Sequence, residues 1–172
     1  DAGIDPSAVT IEITYQNSPA RVQVVSEYLQ ATWQEALGIA VTLSPIEEAT
    51  YTDWRAARAT QTFDVYTGSW GSDFADPSNW HNQNFTSQAN HYQNHWLNEE
   101  YDSLAAQALV DPDIEERSAL YQQAETILVT EAPIIPLYRG KAARAVKPYV
   151  KDLYLQPTLS FVHLRTVKIA AE

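Results

Sequence analysis

The stretch VTIEITYQNSPARVQVVSEYLQATWQEALGIAVTL, residues 9–43, decides the fold. Its first residues alternate, with Val9, Ile11, Ile13 and Tyr15 set against Thr10, Glu12 and Thr14. A period of two is the signature of a half-buried strand. The period then lengthens. From Pro19 onward, Val22, Val25, Leu29, Trp33, Ala36 and Leu37 share one helical face, and Gly38 stands where a left-handed cap is wanted. Ile39, Val41 and Leu43 make a second strand. Further out, Thr50-Tyr51-Thr52-Asp53 reads as a capping box that opens a helix through Trp54 to Arg58. Phe63, Val65 and Tyr66 then form a third strand. Strand–helix–strand–helix–strand at this spacing implies an α/β fold with parallel pairing and right-handed crossovers.

The next stretch breaks the rhythm. Thr67 to Leu97 holds Asn79, Asn82, Asn84, Asn90 and Asn94 and shows no clear periodicity, so it reads as a long loop. Such loops in compact domains are usually functional or disordered, and Trp70, Trp80 and Trp96 argue for order here. A helix follows with Tyr101, Leu104, Ala105, Ala108 and Leu109 in a stripe. A second helix is expected to start at an Asp111 N-cap with Pro112 in its first position, and to bury Leu120, Tyr121, Ala124, Ile127 and Leu128. Ile134-Ile135-Pro136-Leu137-Tyr138 reads as a short buried strand, with Pro136 marking an edge or bulge. Short extended pieces are expected around Val146, Leu153 to Leu155 and Phe161 to Ile169. No internal repeat or low-complexity linker is visible.

Composition narrows the function classes. The chain has 172 residues, of which 45% are hydrophobic, enough for a substantial core and too many for wholesale disorder. The net charge of −11 argues against a nucleic-acid partner, since no basic stripe exists to displace counterions. The few cations lie mostly late, at Arg139, Lys141, Arg144, Lys147 and Lys151. There is no cysteine, which removes disulfides, thiolate nucleophiles and zinc–cysteine sites. No apolar run approaches the roughly 20 residues of a membrane span. The chain starts at Asp1 and has no methionine, so it is expected to be a processed or excised piece of something longer.

Chemistry concentrates in FDVYTGSWGSDFADPSNW, residues 63–80, where an apolar strand runs into a turn. Strand ends of this kind are where α/β proteins bind ligands. Trp70-Gly71-Ser72 offers an indole plane beside an unshielded backbone, or alternatively a core tryptophan followed by a turn glycine. Asp73 and Asp76 admit three readings. They are a glycosidase acid/base pair, or one of them captures a ligand cation beside an aromatic wall, or they cap turns. Asp76 directly before Pro77 suits the turn, and Asp73 suits the ligand. Two acids three residues apart set no particular carboxylate separation, which counts against the glycosidase. His81, His91 and His95 offer imidazoles to a metal, but the bland reading, exposed loop histidines, is preferred. Ser69 and Ser72 have no assignable base, and neither a nucleophile elbow nor a glycine-rich phosphate loop is present. Tyr138-Arg139 either lines a cleft or caps the sheet edge.

In order and spacing these segments resemble the family 5 extracytoplasmic solute-binding proteins of ABC importers. The likeness covers nearly the whole chain. It rests on the apolar strand followed by Trp, Asp and Pro in residues 63–80, and on EYDSLAAQALVDPDIEERSALYQQAETILVTEAPIIPLYRGKAARAVKP, residues 100–148. Trp33 and LGIAVTL, residues 37–43, fit as well. The resemblance implies a periplasmic-binding-protein-like α/β lobe, residues 1–147, whose mixed and mostly parallel sheet is flanked by helices. It implies that residues 148–172 are an extended segment returning toward a missing second lobe. It also implies non-enzymatic binding of a solute, taken as a peptide, for an ABC transporter permease. No cofactor or metal is implied, and the location is periplasmic, or extracellular and membrane-anchored. Residue by residue, it implies that Asp73 holds a peptide's α-ammonium group, that the backbone of Ser69, Trp70, Gly71 and Ser72 pairs with an extended ligand, and that Tyr138 faces the cleft. Thr67 stands where some oligopeptide binders carry an arginine, which leaves ligand class and length open. The alternatives are a binder of a nickel chelate or a sugar, and a carbohydrate-active enzyme using Asp73 and Asp76.

Overall fold

The structure, a computed structural model, describes residues 3–57, 63–89, 91–92, 94–141, 143–155 and 162–170. The chain divides into two compact units, Asp1–Ser69 and Trp70–Glu172.

The first unit is built on strands β1 (Thr10–Gln16), β2 (Ala40–Ile46) and β3 (Val65–Tyr66), with helices α1 (Ala20–Leu37) and α2 (Glu48–Ala57). The sheet order is β2–β1–β3, and both pairings are parallel, as strand–helix–strand connections require. Thr10 pairs with Ala40 and the register runs unbroken to Gln16 with Ile46, while Ile13 and Thr14 pair with Val65 and Tyr66. The alternation read from residues 9–15 delivers Ile13 to the centre of the core, where it packs with Leu29 and Val41 and is covered by Val25, Trp33, Ile39, Leu43 and Val65. Two glutamines of α1 tie the helix to β2, Gln30 and Gln34 both donating to the Val41 carbonyl at 2.7 and 3.2 Å. Helix α1 ends at Gly38, whose φ of 68° and bond from its N–H to the Gln34 carbonyl are those of a left-handed cap. Only open contact with Pro6 would meet a Cβ there, so the dihedral and not crowding calls for glycine.

Two expectations for this unit need correction. Ala36 and Leu37 are exposed, because the last turn of α1 extends past the edge of the face that Leu29 and Trp33 bury. Helix α2 begins at Glu48, earlier than the capping box predicts. Thr50 lies inside the first turn and its hydroxyl donates back to the Glu47 carbonyl at 3.1 Å, so it does not cap. The expected end of this helix at Arg58 falls outside the described residues.

The second unit is helical: α3 (Ser78–Asn84), α4 (Glu99–Val110) and α5 (Ile114–Glu131). Its core joins Phe85, Tyr101, Ala105, Ala124 and Leu128, with Tyr92, Trp96, Leu104, Ile127 and Ile134 against it. Asn98 caps α4 by accepting from the Tyr101 N–H at 2.9 Å. Asp113 caps α5 by accepting from the Glu115 and Glu116 N–H groups at 2.9 and 3.0 Å.

Asp111 is therefore not the cap of α5. It closes α4, and its carboxylate instead accepts from the Asp113 N–H at 2.8 Å. Leu109 is exposed, because the buried stripe of α4 follows Tyr101, Ala105 and Ala108. Residues 134–138 are not a buried strand: Ile135, Leu137 and Tyr138 are exposed, no described strand pairs with them, and Pro133 and Pro136 remove N–H donors. Near the C-terminus, β4 (Val150–Lys151) pairs antiparallel with β7 (Lys168–Ile169), and β5 (Tyr154–Leu155) pairs with β6 (Val162–His163). Val146 is exposed and outside these strands, and Phe161 falls outside the described residues.

Candidate functional site

The turn at residues 70–77 takes its shape from α3, a helix in the stretch that reads as an aperiodic loop. The helix begins where Asp76 and Pro77 turn the chain. Asp76 accepts the Ser78 N–H on its carboxylate at 2.9 Å and the Asn79 N–H on its carbonyl at 3.1 Å. The same carboxylate oxygen takes the Arg117 guanidinium of α5 at 2.5 Å, both side chains being about one-quarter exposed. Burial pushes the Asp76 carboxyl up, but the Ser78 hydrogen bonds and Arg117 outweigh it, and its pKa lies below the ordinary carboxylate value. The Arg117 guanidinium also sits over the Tyr121 ring, 5.6 Å from its centroid.

Asn79 organises the turn from below. It is fully buried, and its side-chain carbonyl accepts two donors from the turn, the Trp70 indole N–H at 2.9 Å and the Asp73 N–H at 3.2 Å. Its amide group donates to Gln83 at 3.3 Å. The next residue, Trp80, donates its indole N–H to the Ser72 hydroxyl at 2.6 Å. Trp70 is half-buried and meets the His91 ring edge-on at 4.7 Å. Gly71 is exposed, with nothing near the place a Cβ would occupy. The Asp73 side chain is exposed and makes no hydrogen bond or ion pair with any described residue. A backbone held by Asn79, which also holds the Trp70 indole N–H, therefore presents an unengaged carboxylate.

Of the residues singled out in the sequence, Trp70, Ser72 and Asp73 come together around α3, with Gly71 between them. Ser69 is exposed and ends the first unit. Tyr138 is exposed on the extended segment after α5, and no hydrogen bond or ring contact joins it to the turn among the described residues.

The histidines part company. His81 is buried, so it is not the exposed loop histidine expected. Its Nδ1 lies 3.0 Å from the Tyr101 hydroxyl, its Nε2 lies 3.7 Å from Glu125, and its ring stacks on Tyr121 at 5.0 Å. Burial lowers its pKa, and Glu125 opposes that only in part. Burial likewise raises the Tyr101 phenol. Tyr121 completes the polar seam by donating to Asn82 at 2.8 Å. His95 is exposed. Among the described residues no three His, Cys, Asp or Glu side chains form a group able to hold a metal, and no helix is long and apolar enough to cross a membrane.

Residues 1–92 match the model of the bacterial extracellular solute-binding proteins, family 5. The chain belongs to this family. Among its relatives is the probable deoxycholate-binding periplasmic protein YgiS of Escherichia coli K12, 36% identical over 83% of this chain and 26% of that protein. The periplasmic murein peptide-binding protein MppA of the same organism is 30% identical over 98% of this chain and 30% of its own length. The solved structure of that murein tripeptide-binding protein superposes with a TM-score of 0.71, covering 83% of this chain and 27% of that one. The Haemophilus influenzae OppA structure, a complex with the peptide RPPGFSPFR, gives 0.70 at 27% identity over 83% of this chain and 27% of that one. The chain thus spans less than a third of the length of these relatives, and its fold is that of a periplasmic-binding-protein lobe.

Sequence reasoning missed Asn79, Trp80 and Arg117 as parts of this site. Asn79 carries no signal of its own within an asparagine-rich stretch. Arg117 lies 41 residues from the carboxylate it pairs with.

Proposed function

We propose that this chain supplies one part of the ligand site of a non-enzymatic peptide-binding protein serving an ABC importer. Asp73 meets the ligand's α-ammonium group, Trp70 forms a wall, the backbone of Ser69 to Ser72 pairs with an extended ligand, and Tyr138 closes another side. The observation that carries this reading is the Asp73 carboxylate, exposed and unengaged on a backbone that Asn79 holds. The peptide named for MppA and the peptide bound to the Haemophilus OppA support the ligand class. Residues 148–172 return toward a second lobe, the permease is the membrane partner, and the protein works outside the cytoplasm, in the periplasm or anchored at the outer face of the membrane.

The chemistry of the two acids favours binding over hydrolysis. A glycosidase needs one of them protonated near neutral pH. Asp76 is held ionised by Ser78 and Arg117 and shapes the turn.

Asp73→Asn in the full-length protein tests the assignment. A charge-assisted hydrogen bond is worth about 1.5–3 kcal/mol, so affinity for tri-alanine should fall about tenfold to a hundredfold. N-acetyl-tri-alanine should bind no worse to the variant than to the parent. Equal losses for the two peptides would refute the ammonium role.

A second reading rests on the relative named for deoxycholate. An anionic steroid would be repelled by Asp73, so the same substitution should strengthen deoxycholate binding if that is the ligand.

A further inference from the structure

We infer that Asn79 is the positioning residue of this site: by accepting two hydrogen bonds on one oxygen, it fixes both the Trp70 wall and the backbone that aims Asp73. The inference rests on the reading of Asp73 as the ligand's counter-charge.

Trp80 holds Ser72 through its indole N–H and His91 meets the Trp70 ring edge-on, but the Asp73 backbone is bonded to Asn79 alone among the described residues. Residues 70–73 belong to no helix or strand, Gly71 lies open, and Asp73 uses its side chain for nothing within the described residues. A charged side chain on a loose turn captures an ammonium poorly, because each binding event must first order it. Asn79 removes that cost in advance. Its Oδ1 joins the Trp70 indole N–H and the Asp73 N–H, three residues apart, into one fork. The oxygen is itself held in place. Asn79 is fully buried, its amide group donates to Gln83, and its own carbonyl accepts from the Asn84 side chain at 3.2 Å. Because the oxygen has two lone pairs, both turn donors are satisfied by one acceptor. Replacing it with an apolar group leaves a half-buried indole N–H and a backbone N–H to find water or move.

The acceptor is what matters, and the amide group is secondary. Asn79→Asp keeps an oxygen at the same place, and the Gln83 amide can turn over to donate to the second one. Asn79→Leu keeps the approximate volume and removes the acceptor.

The test uses the full-length protein, with tri-alanine and N-acetyl-tri-alanine as ligands, and reads solvent exchange of the Trp70 indole N–H by nuclear magnetic resonance without ligand. Asn79→Leu should speed that exchange at least tenfold and weaken tri-alanine binding about tenfold, with a smaller loss for the acetylated peptide. Asn79→Asp should stay within about threefold of the parent in both readouts. A role in folding alone would not distinguish the two peptides, nor be rescued by a buried aspartate. Unchanged exchange in Asn79→Leu, unchanged binding despite faster exchange, or an aspartate variant as damaged as the leucine one each overturns the inference. If Asn79→Leu does not fold, Trp70→Phe deletes the indole donor and keeps a ring; full affinity there overturns it equally. Asp73→Asn is measured alongside. If that variant binds normally, the reading of Asp73 has failed; if it binds weakly while Asn79→Leu does not, only the role of Asn79 has.

Discussion

The Asp76–Arg117 pair invites a worked perturbation, because it ties the turn at residues 70–77 to α5 across 41 residues of sequence. Replacing Arg117 with Met keeps most of the aliphatic stem and removes the guanidinium. A hydrogen bond to a charged partner is worth about 1.5–3 kcal/mol net. With both side chains about one-quarter exposed, solvent screens part of that, and an exposed pair would be worth less than about 1 kcal/mol. Losing the cation over Tyr121, at 5.6 Å from its centroid, adds about 0.5 kcal/mol. The expected loss is about 1.5–2 kcal/mol in urea unfolding at pH 7. A double-mutant cycle with Asp76→Asn should return a coupling of about 1 kcal/mol, since Asn keeps the acceptor for the Ser78 N–H. The sign of the pH effect follows from the lowered carboxyl. Asp76 contributes stability that is complete above the unfolded carboxylate pKa of about 3.9 and is lost as pH falls through its lower folded value. The gap between parent and Arg117→Met should therefore close once the pH falls below the lowered Asp76 value. A coupling under about 0.3 kcal/mol, or a gap that persists in acid, would refute the assignment of the pair as a working tether.

His81 gives a second handle on pH. Its folded pKa is lowered, so the unfolded chain binds the proton more readily and stability falls as pH drops from about 6.5 through the folded value. Melting temperature should decline between pH 7 and pH 5, and His81→Phe should flatten that decline while lowering stability at pH 7 through the lost Tyr101 bond. At the end of α5, Ala132 holds φ of 50° and donates its N–H to the Leu128 carbonyl at 3.0 Å. A left-handed residue other than glycine costs about 1–2 kcal/mol, partly offset in Ala132→Gly by the looser unfolded chain. The substitution should raise stability by about 0.5–1 kcal/mol, read as a melting temperature a few degrees higher.

Much of the first unit is legible because its burial is apolar. Ile11 and Ile13 alternate, Leu29 and Trp33 recur at helical spacing, and Gly38 ends the run as the pattern says, although Thr14, read on the polar side of the strand, is buried because β1 lies between β2 and β3. Helix α3 is illegible for the converse reason. Its buried face is Ser78, Asn79, His81 and Asn84, all polar, and a search for apolar periodicity passes over a helix that buries hydrogen-bonding groups. His81 looked like an exposed loop residue for the same cause: nothing local shows that Tyr101 and Tyr121, 20 and 40 positions on, close over its ring. Caps misled at shorter range. Asp111 and Asp113 flank Pro112, and either aspartate fits a helix start; the choice is made by which carboxylate reaches two N–H groups. The run at 134–138 was apolar enough for a strand, but in this chain it has no described strand to pair with. Trp70, Ser72 and Asp73 stand out by residue type, whereas the side chains holding them, Asn79 and Trp80, do not, because hydrogen-bond partners leave no periodic trace.

That Trp70 to Asp73 is moored to helix side chains, and not to the ladder of β3, has a consequence for local opening. Proteins open in cooperative blocks of differing stability. The Asp73 N–H should share the fate of α3 to α5: its deuterium uptake should follow destabilisation of the Tyr101–Leu128 core. The exchange of that one amide would then report on the packing around Tyr101, some thirty residues further along the chain.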